Sequence, residues 1–301
     1  MKHLIDTDML SMECIDRIVE DAKFFKHNGV QPLLENKLII TLFFENSTRT
    51  RSSFEVAAKR LGAAVVHLDP SKSSTKKGET LEDTFANLCA MDPDGVIIRH
   101  SENSTPSILA GMELAPVINA GAGNYAHPTQ GLLDLFTLYE HFGRNLQGLR
   151  VAIVGDIVNS RVASSDIRLF RRVGIDLSLI APEPFMPDTD LPKFESIEDV
   201  IDDIDVIMSL RAQLERHKKP IFEDYDEYRR HYCITKKIIE NRDIMIMHPG
   251  PVMRNIDIAD EIMNDRRSLV LKQVQNGVYI RMSVLKMMLL DAFYDNSSHS
   301  L

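Results

Sequence analysis

Residues 37–44 read KLIITLFF and residues 45–51 read ENSTRTR, after which Phe54, Ala57, Ala58 and Leu61 recur at helical spacing up to Gly62. The apolar run has the length of a strand and no polar alternation, which is the pattern of a strand buried on both faces of a parallel sheet. The polar turn then leads into a helix expected at about Thr50–Leu61. A strand, a short turn and a helix form the first half of a βαβ unit, and this reading sets the expectation for the rest of the chain.

The same alternation extends outward in both directions. Upstream, Ser11 is placed to cap a helix carrying Ile15, Ile18, Val19, Ala22 and Phe25 on one face, stopped by Asn28-Gly29. Downstream, strands are expected at Ala63–Leu68, Val96–Arg99 and Val117–Asn119, with helices at Thr80–Met91 and Thr105–Leu114. A long helix is expected from Pro128 to Phe142, closed by Gly143. The second half repeats the theme. Strands fit Arg150–Val154, Asp176–Ile180, Val206–Leu210 and Ile244–Met247, and helices fit Arg161–Val173, Ile197–Ile201 and Lys236–Asn241. A last apolar helix fits Ser268–Phe293, with Gly277 as a candidate bend. The fold class expected is therefore α/β, as two doubly wound parallel-sheet domains joined by the helix that starts at Pro128.

The chain has 301 residues, twice the ~150 of one domain. Asp and Glu outnumber Lys and Arg by 44 to 35, a net charge of −9. That is a poor match to nucleic acid or an anionic membrane, each of which selects a basic face. Cys14, Cys89 and Cys233 lie far apart. This argues against a disulfide framework and for a reducing compartment. The charged start of the chain is unlike a signal peptide, and no stretch reaches the ~18 apolar residues of a membrane span. A cytoplasmic location is expected.

In open parallel sheets, ligands bind beyond the C-terminal ends of the strands. Those positions carry Glu45 to Arg51, then Arg99-His100, then Ala120 to Gln130, which includes His127, and then Arg161, Arg211-Ala212-Gln213 and His248-Pro249-Gly250-Pro251. Ser47, Thr48, Arg49 and Thr50 fall at a helix N-terminus, where free N–H groups and the dipole favour an anion; a plain N-cap with solvated arginines is the alternative. Several arginines at strand ends suit a substrate with several negative groups. The basic run Ser71 to Thr80 reads either as a solvated loop or as a lid bringing ammonium groups to a phosphate. No G-x-x-x-x-G-K-[ST] is present, residues 155–160 (GDIVNS) lack the glycines of a dinucleotide turn, and no metal-ligand spacing is found. The fourteen methionines read as core filling, and Arg168, Arg171 and Arg172 as a solvated helix face.

Taken together, Phe43 to Thr50 (FFENSTRT) and His127-Pro128-Thr129-Gln130 resemble the two signatures of the aspartate/ornithine carbamoyltransferase family, and the resemblance runs from the first helix to the last. His248-Pro249-Gly250-Pro251 lacks the Cys typical of the ornithine branch, and residues 210–216 (LRAQLER) are similar to the aspartate branch, although some aspartate enzymes have Leu where this chain has Gly250. An ornithine or other amino-acid carbamoyltransferase remains the alternative, and a non-catalytic scaffold the rival of another class.

The resemblance implies transfer of the carbamoyl group of carbamoyl phosphate to the α-amine of L-aspartate, an early step of pyrimidine synthesis, with no metal or organic cofactor. It implies a carbamoyl-phosphate-binding domain of residues 1–128 plus 277–301, an aspartate-binding domain of residues 129–276, and an active site in the cleft between them. Ser47, Thr48, Arg49 and Thr50 are implied to hold the phosphate. Arg99, His127 and Thr50 would polarise the carbonyl, with Arg49 also counted among the catalytic groups. Gln130 and the Pro249 and Gly250 backbone would orient the carbamoyl amide, and Arg161, Arg211, Gln213 and Lys77 would bind aspartate. A homotrimer with shared sites is implied, Ser73 and Lys77 reaching the neighbouring subunit and Lys76 beside them. A regulatory chain or a dihydroorotase is left open as a further partner.

Overall fold

The computed structural model describes residues 3–68, 79–217 and 221–290. The chain divides into two units, Met1–Leu133 with Asn276–Leu301, and Asp134–Gln275.

The first unit begins with α1 (Met12–Asn28), whose N-cap Ser11 accepts from the Cys14 amide and whose buried face is the set Ile15, Ile18, Val19, Ala22 and Phe25. Then follow β1 (Leu38–Phe43), α2 (Thr48–Arg60), β2 (Ala64–Leu68), α3 (Leu81–Cys89), β3 (Gly95–His100), α4 (Thr105–Gly111), β4 (Val117–Ala122) and the start of α5 (Pro128–Phe142). The four strands are parallel in the order β2-β1-β3-β4. From Ile39 to Phe43 every residue of β1 is buried, as its unbroken apolar run requires.

The second unit holds β5 (Arg150–Val154), α6 (Arg161–Arg172), β6 (Asp176–Ile180), β7 (Lys193–Phe194), β8 (Val206–Ser209), α7 (Tyr225–Tyr232), α8 (Lys236–Ile239), β9 (Met245–Met247), α9 (Asp260–Met263) and the start of α10 (Val270–Leu290). Its five strands are also all parallel, in the order β7-β6-β5-β8-β9.

Each sheet has one point where the strand order reverses. In the first, β1 lies between β2 and β3, so the connections after β1 and β3 leave on opposite sides; in the second, β5 and β8 stand in the same relation. Such switch points open a crevice at the strand C-termini.

Several local expectations are corrected. Residues 197–200 form a turn that runs into a short 3-10 stretch, Ile201–Asp203, in place of a helix at Ile197–Ile201. Ser196 Oγ accepts from the Glu198 amide, and that local turn, with β-branched residues after it, outcompetes the helix. The helix expected to Asn241 ends at Ile239 because Glu240 takes φ +41°. The one expected to Leu114 ends at Gly111, with Glu113 at φ +54°. α10 is continuous through Gly277, where the glycine makes room: a Cβ there would lie 2.5 Å from Arg281 Nη1 and 3.1 Å from Leu133 Cδ2. No helix among the described residues is long and apolar enough to cross a membrane.

Candidate active site

The first unit's switch point carries Glu45 to Arg51, the segment expected to meet an anion. Ser47 is the N-cap of α2 in main-chain terms, its carbonyl accepting from the Arg51 amide at 3.0 Å, but its side chain makes no capping bond among the described residues. The N-terminus of a 13-residue helix thus presents its N–H groups beside the hydroxyls of Ser47, Thr48 and Thr50. Thr50 is buried; Thr48 and Arg49 are exposed. Arg51 turns the other way. Its Nη1 donates to His67 Nε2 at 2.8 Å, and the His67 Nδ1 hydrogen then meets Thr41 Oγ1 at 3.0 Å.

Arg99 is the penultimate residue of β3, beside this turn. Its carbonyl accepts from the Phe44 amide at 2.9 Å, its Nε lies 3.3 Å from Glu45 Oε2, and its Nη1 donates to the Ala120 carbonyl at 3.3 Å. One guanidinium is therefore steered by the ends of β1 and β4 together. His100, the next residue, serves structure: its Nδ1 accepts from the Glu102 amide at 3.0 Å, its ring meets Phe44 edge-on, and burial lowers its pKa against the opposing pull of Glu102 and Glu45. Beyond β4, Asn119 Oδ1 accepts from the Gly121 amide and its Nδ2 donates to the Ile5 carbonyl, which fixes the turn toward α5. His127, Thr129 and Gln130 are buried at the start of that helix.

The second switch point gathers the other arginines. Arg161 is the first residue of α6, whose N-cap Ser160 Oγ accepts from the Ala163 amide, and Arg161 is buried. Arg211 follows β8 and pairs with Glu215 at 2.6 Å, and Glu215 also accepts from Tyr225 Oη. Gln213 Nε2 donates to the Asn159 carbonyl at 3.3 Å, which ties the Arg211 loop to the Arg161 turn.

The structure adds residues that the sequence reading passed over. Asp156, just past β5, is fully buried and accepts from His217 Nε2 at 2.9 Å and from Asn159 Nδ2; burial raises its pKa, and those hydrogen bonds oppose the shift. Its position two residues past the end of β5 was a signal that the strand-end rule offered. Asp257 accepts from the Ala212 amide (3.1 Å), the Met253 amide (2.8 Å) and the His248 ring (3.2 Å). His248 Nδ1 accepts from the Gly250 amide at 2.8 Å, so its Nε2 carries the hydrogen given to Asp257. Pro249 and Gly250 thus hang from a fixed imidazole. Ser73, Lys76 and Lys77 lie outside the described residues. No group of three or more His, Cys, Asp or Glu able to hold a metal ion occurs among the described residues.

The two units match two family models: residues 2–140 the carbamoyl-P binding domain, and residues 147–288 the Asp/Orn binding domain, of aspartate/ornithine carbamoyltransferase. A protein of Sulfurovum sp. (strain NBC37-1), named aspartate carbamoyltransferase catalytic subunit, is 69% identical over 292 residues, covering 97% of this chain and 99% of its own. The structure of aspartate transcarbamoylase from Trypanosoma cruzi in complex with carbamoyl phosphate and aspartate is similar with a TM-score of 0.83 at 27% identity, over 94% of each chain. Ornithine carbamoyltransferase from Pyrococcus furiosus is as similar in fold, with a TM-score of 0.85 at 27% identity over 96% of this chain and 97% of that one.

Proposed function

The chain belongs to the aspartate/ornithine carbamoyltransferase family, and we propose that it transfers the carbamoyl group of carbamoyl phosphate to the α-amine of L-aspartate. The fold alone serves the ornithine reaction equally well. The observation that carries the choice of aspartate is the pair Arg161 and Arg211, which flank one switch point and offer two guanidinium groups to one dicarboxylate. The 69% identical relative named for aspartate supports it. An ornithine ammonium would meet repulsion at the same place.

In this reading Ser47, Thr48, Arg49 and Thr50 hold the phosphate at the start of α2. Arg99, His127 and Thr50 donate to the carbonyl oxygen and stabilise the negative charge that grows on it in the tetrahedral intermediate. Losing one such preorganised donor costs about 10²–10³ in kcat. Gln130 and the Pro249 and Gly250 backbone orient the carbamoyl NH2. Arg161 takes the α-carboxylate, and Arg211 with Gln213 takes the β-carboxylate, the guanidinium having donors enough to serve Glu215 as well. The neutral amine attacks the carbonyl carbon, the carbon–oxygen bond to phosphate breaks, and the amine proton passes to a phosphate oxygen. The products are N-carbamoyl-L-aspartate, which enters pyrimidine synthesis, and phosphate. The working form is a cytoplasmic homotrimer in which Ser73 and Lys77 complete the neighbouring subunit's site, Lys77 on the aspartate side.

The test is a colorimetric assay of the purified chain with carbamoyl phosphate and either L-aspartate or L-ornithine. Carbamoyl aspartate is the expected product, and carbamoylation of ornithine alone would overturn the reading.

A further inference from the structure

The chain that follows β9 is held by an arrangement the reaction scheme does not use. Along the outer side of β9, the Ile246 amide donates to the Arg267 carbonyl and the Leu269 amide donates to the Ile246 carbonyl, both at 2.8 Å. The next bond in that ladder would need a main-chain carbonyl, but the chain has already coiled into α10. A side chain takes over: the His248 amide donates to Gln273 Oε1 at 2.9 Å. Gln273 Nε2 in turn donates to Asp134 Oδ1 at 2.7 Å. All three residues are buried, with exposures of 1% for His248, 2% for Gln273 and 0% for Asp134.

We infer that Gln273 is a positioning residue for the carbamoyl transfer: anchored on the Asp134 carboxylate, it fixes the His248 main chain and through it the Pro249–Gly250 turn. This rests on the reading that the Pro249 and Gly250 backbone meets the carbamoyl amide. The His248 N–H can only donate, so the Gln273 oxygen faces it and the amide nitrogen faces Asp134, where an unprotonated oxygen must wait. A second buried acid stands near enough to interact with Asp134. Asp166 on α6 is 0% exposed, and neither of its carboxyl oxygens has a hydrogen-bond partner among the described residues. Burial, and the neighbouring Asp134 charge, push the Asp166 pKa well above the usual carboxylate range. The His248 ring is held from the other side by Asp257 and accepts from the Gly250 amide. Main chain and ring are thus both fixed, which sets the direction of the backbone between them.

The test uses Gln273→Met, of similar length but with no amide donor or acceptor, and Gln273→Glu. In Gln273→Met, kcat should fall about 10- to 100-fold, the scale of a small misplacement at a reacting group, while inorganic phosphate binding measured by calorimetry stays within about twofold. Hydrogen exchange at the His248 and Gly250 amides, read without substrate, should quicken. In Gln273→Glu the protonated acid reproduces both bonds, so kcat should approach wild type at acid pH and fall as pH rises, a profile that a filler role would not give. If Gln273→Met fails to fold, that profile carries the test. Wild-type kcat in Gln273→Met, unchanged exchange at His248, or a Gln273→Glu profile parallel to wild type would overturn the proposal. The exchange readout is independent of turnover. A wild-type chain without carbamoyl transfer, but with faster exchange in Gln273→Met, would overturn the functional reading and leave the positioning contact standing.

Discussion

Asp257 Oδ1 accepts the Ala212 main-chain N–H at 3.1 Å, across 45 residues of sequence, and so fixes the residue between Arg211 and Gln213. Its other oxygen takes the Met253 amide and the His248 ring. Three donors converge on one buried carboxylate. In Asp257→Asn the new NH2 must face one of them, a donor against a donor. Leaving a buried donor unsatisfied costs about 1–3 kcal/mol. The variant should melt earlier and show a raised KM for aspartate, with carbamoyl-phosphate affinity nearly unchanged. A KM for aspartate equal to wild type would show that the loop keeps its place without this carboxylate.

Arg211 and Arg49 stand at the switch points of different sheets, and the proposed roles separate them by substrate. Arg211→Ala should raise the KM for aspartate strongly, by about 10-fold or more given the ~1.5–3 kcal/mol of a charge-assisted bond, and leave carbamoyl-phosphate binding nearly intact. Arg49→Ala should weaken carbamoyl phosphate and lower kcat. Steady-state kinetics with each substrate varied in turn distinguishes them. Equal loss of both substrates in both variants would refute the assignment.

What the sequence made legible was what parallel sheets write locally. Strand β1 is an unbroken apolar run, Arg99 lies at the end of β3 and Arg211 just past β8, while Arg161 opens the helix that follows β5. Helix α7 was missed because YDEYRRHY carries only Tyr228 and Tyr232 as buried marks amid charge. Strand β7 was missed because two residues hold no period. At Ile197–Ile201 a helical spacing of apolar residues was real, and the side chains are buried, but one turn was enough to bury them. The contacts of Gln273 and Asp257 were invisible for another reason. Their partners lie 139 and 45 residues away, so no local pattern encodes the pairing.

Gly155 closes β5 at φ +119°, and a Cβ on it would lie 2.9 Å from the Leu210 carbonyl oxygen and 3.0 Å from Tyr228 Oη. The Leu210 amide already donates to the Val154 carbonyl at 2.8 Å, so the two strand ends that carry Asp156 and Arg211 cannot part without losing that bond. Gly155→Ala therefore adds backbone strain to a contact with main chain. It should destabilise the protein by about 1–3 kcal/mol and raise the KM for aspartate more than that for carbamoyl phosphate. Chemical denaturation and kinetics on the same sample check both. An unchanged unfolding midpoint would mean that this turn tolerates a side chain.

The proposed trimer has a counting test. In the proposed closed ring, each site would join Arg49 of one chain to Lys77 of the next. Arg49→Ala and Lys77→Ala should each be nearly inactive alone. Any trimer mixing the two has one boundary where both partners are intact, so dissociating, mixing and reassociating them should restore one site in three in each mixed trimer. Mixed trimers verified by mass but without activity would mean that Lys77 acts within its own chain or not at all.

Asp166 gives a pH prediction whose sign is fixed by its burial. Its folded pKa is raised, first by desolvation and then by Asp134. The unfolded chain releases this proton in the ordinary carboxylate range, near pH 4. Above that range the folded protein binds one proton more than the unfolded chain does. Stability then falls as pH rises, by up to about 1.4 kcal/mol per pH unit for one proton, until the pH passes the raised folded pKa. The contribution is fully present below the ordinary carboxylate range and is lost through the raised one. Asp166→Asn replaces a neutral acid by a neutral amide of the same shape, so it should keep wild-type kcat and remove this slope. Unfolding free energies of both proteins measured across about pH 5–8 should diverge, the variant holding its stability as pH rises. Parallel curves would show that Asp166 ionises in the folded protein as it does in the unfolded chain.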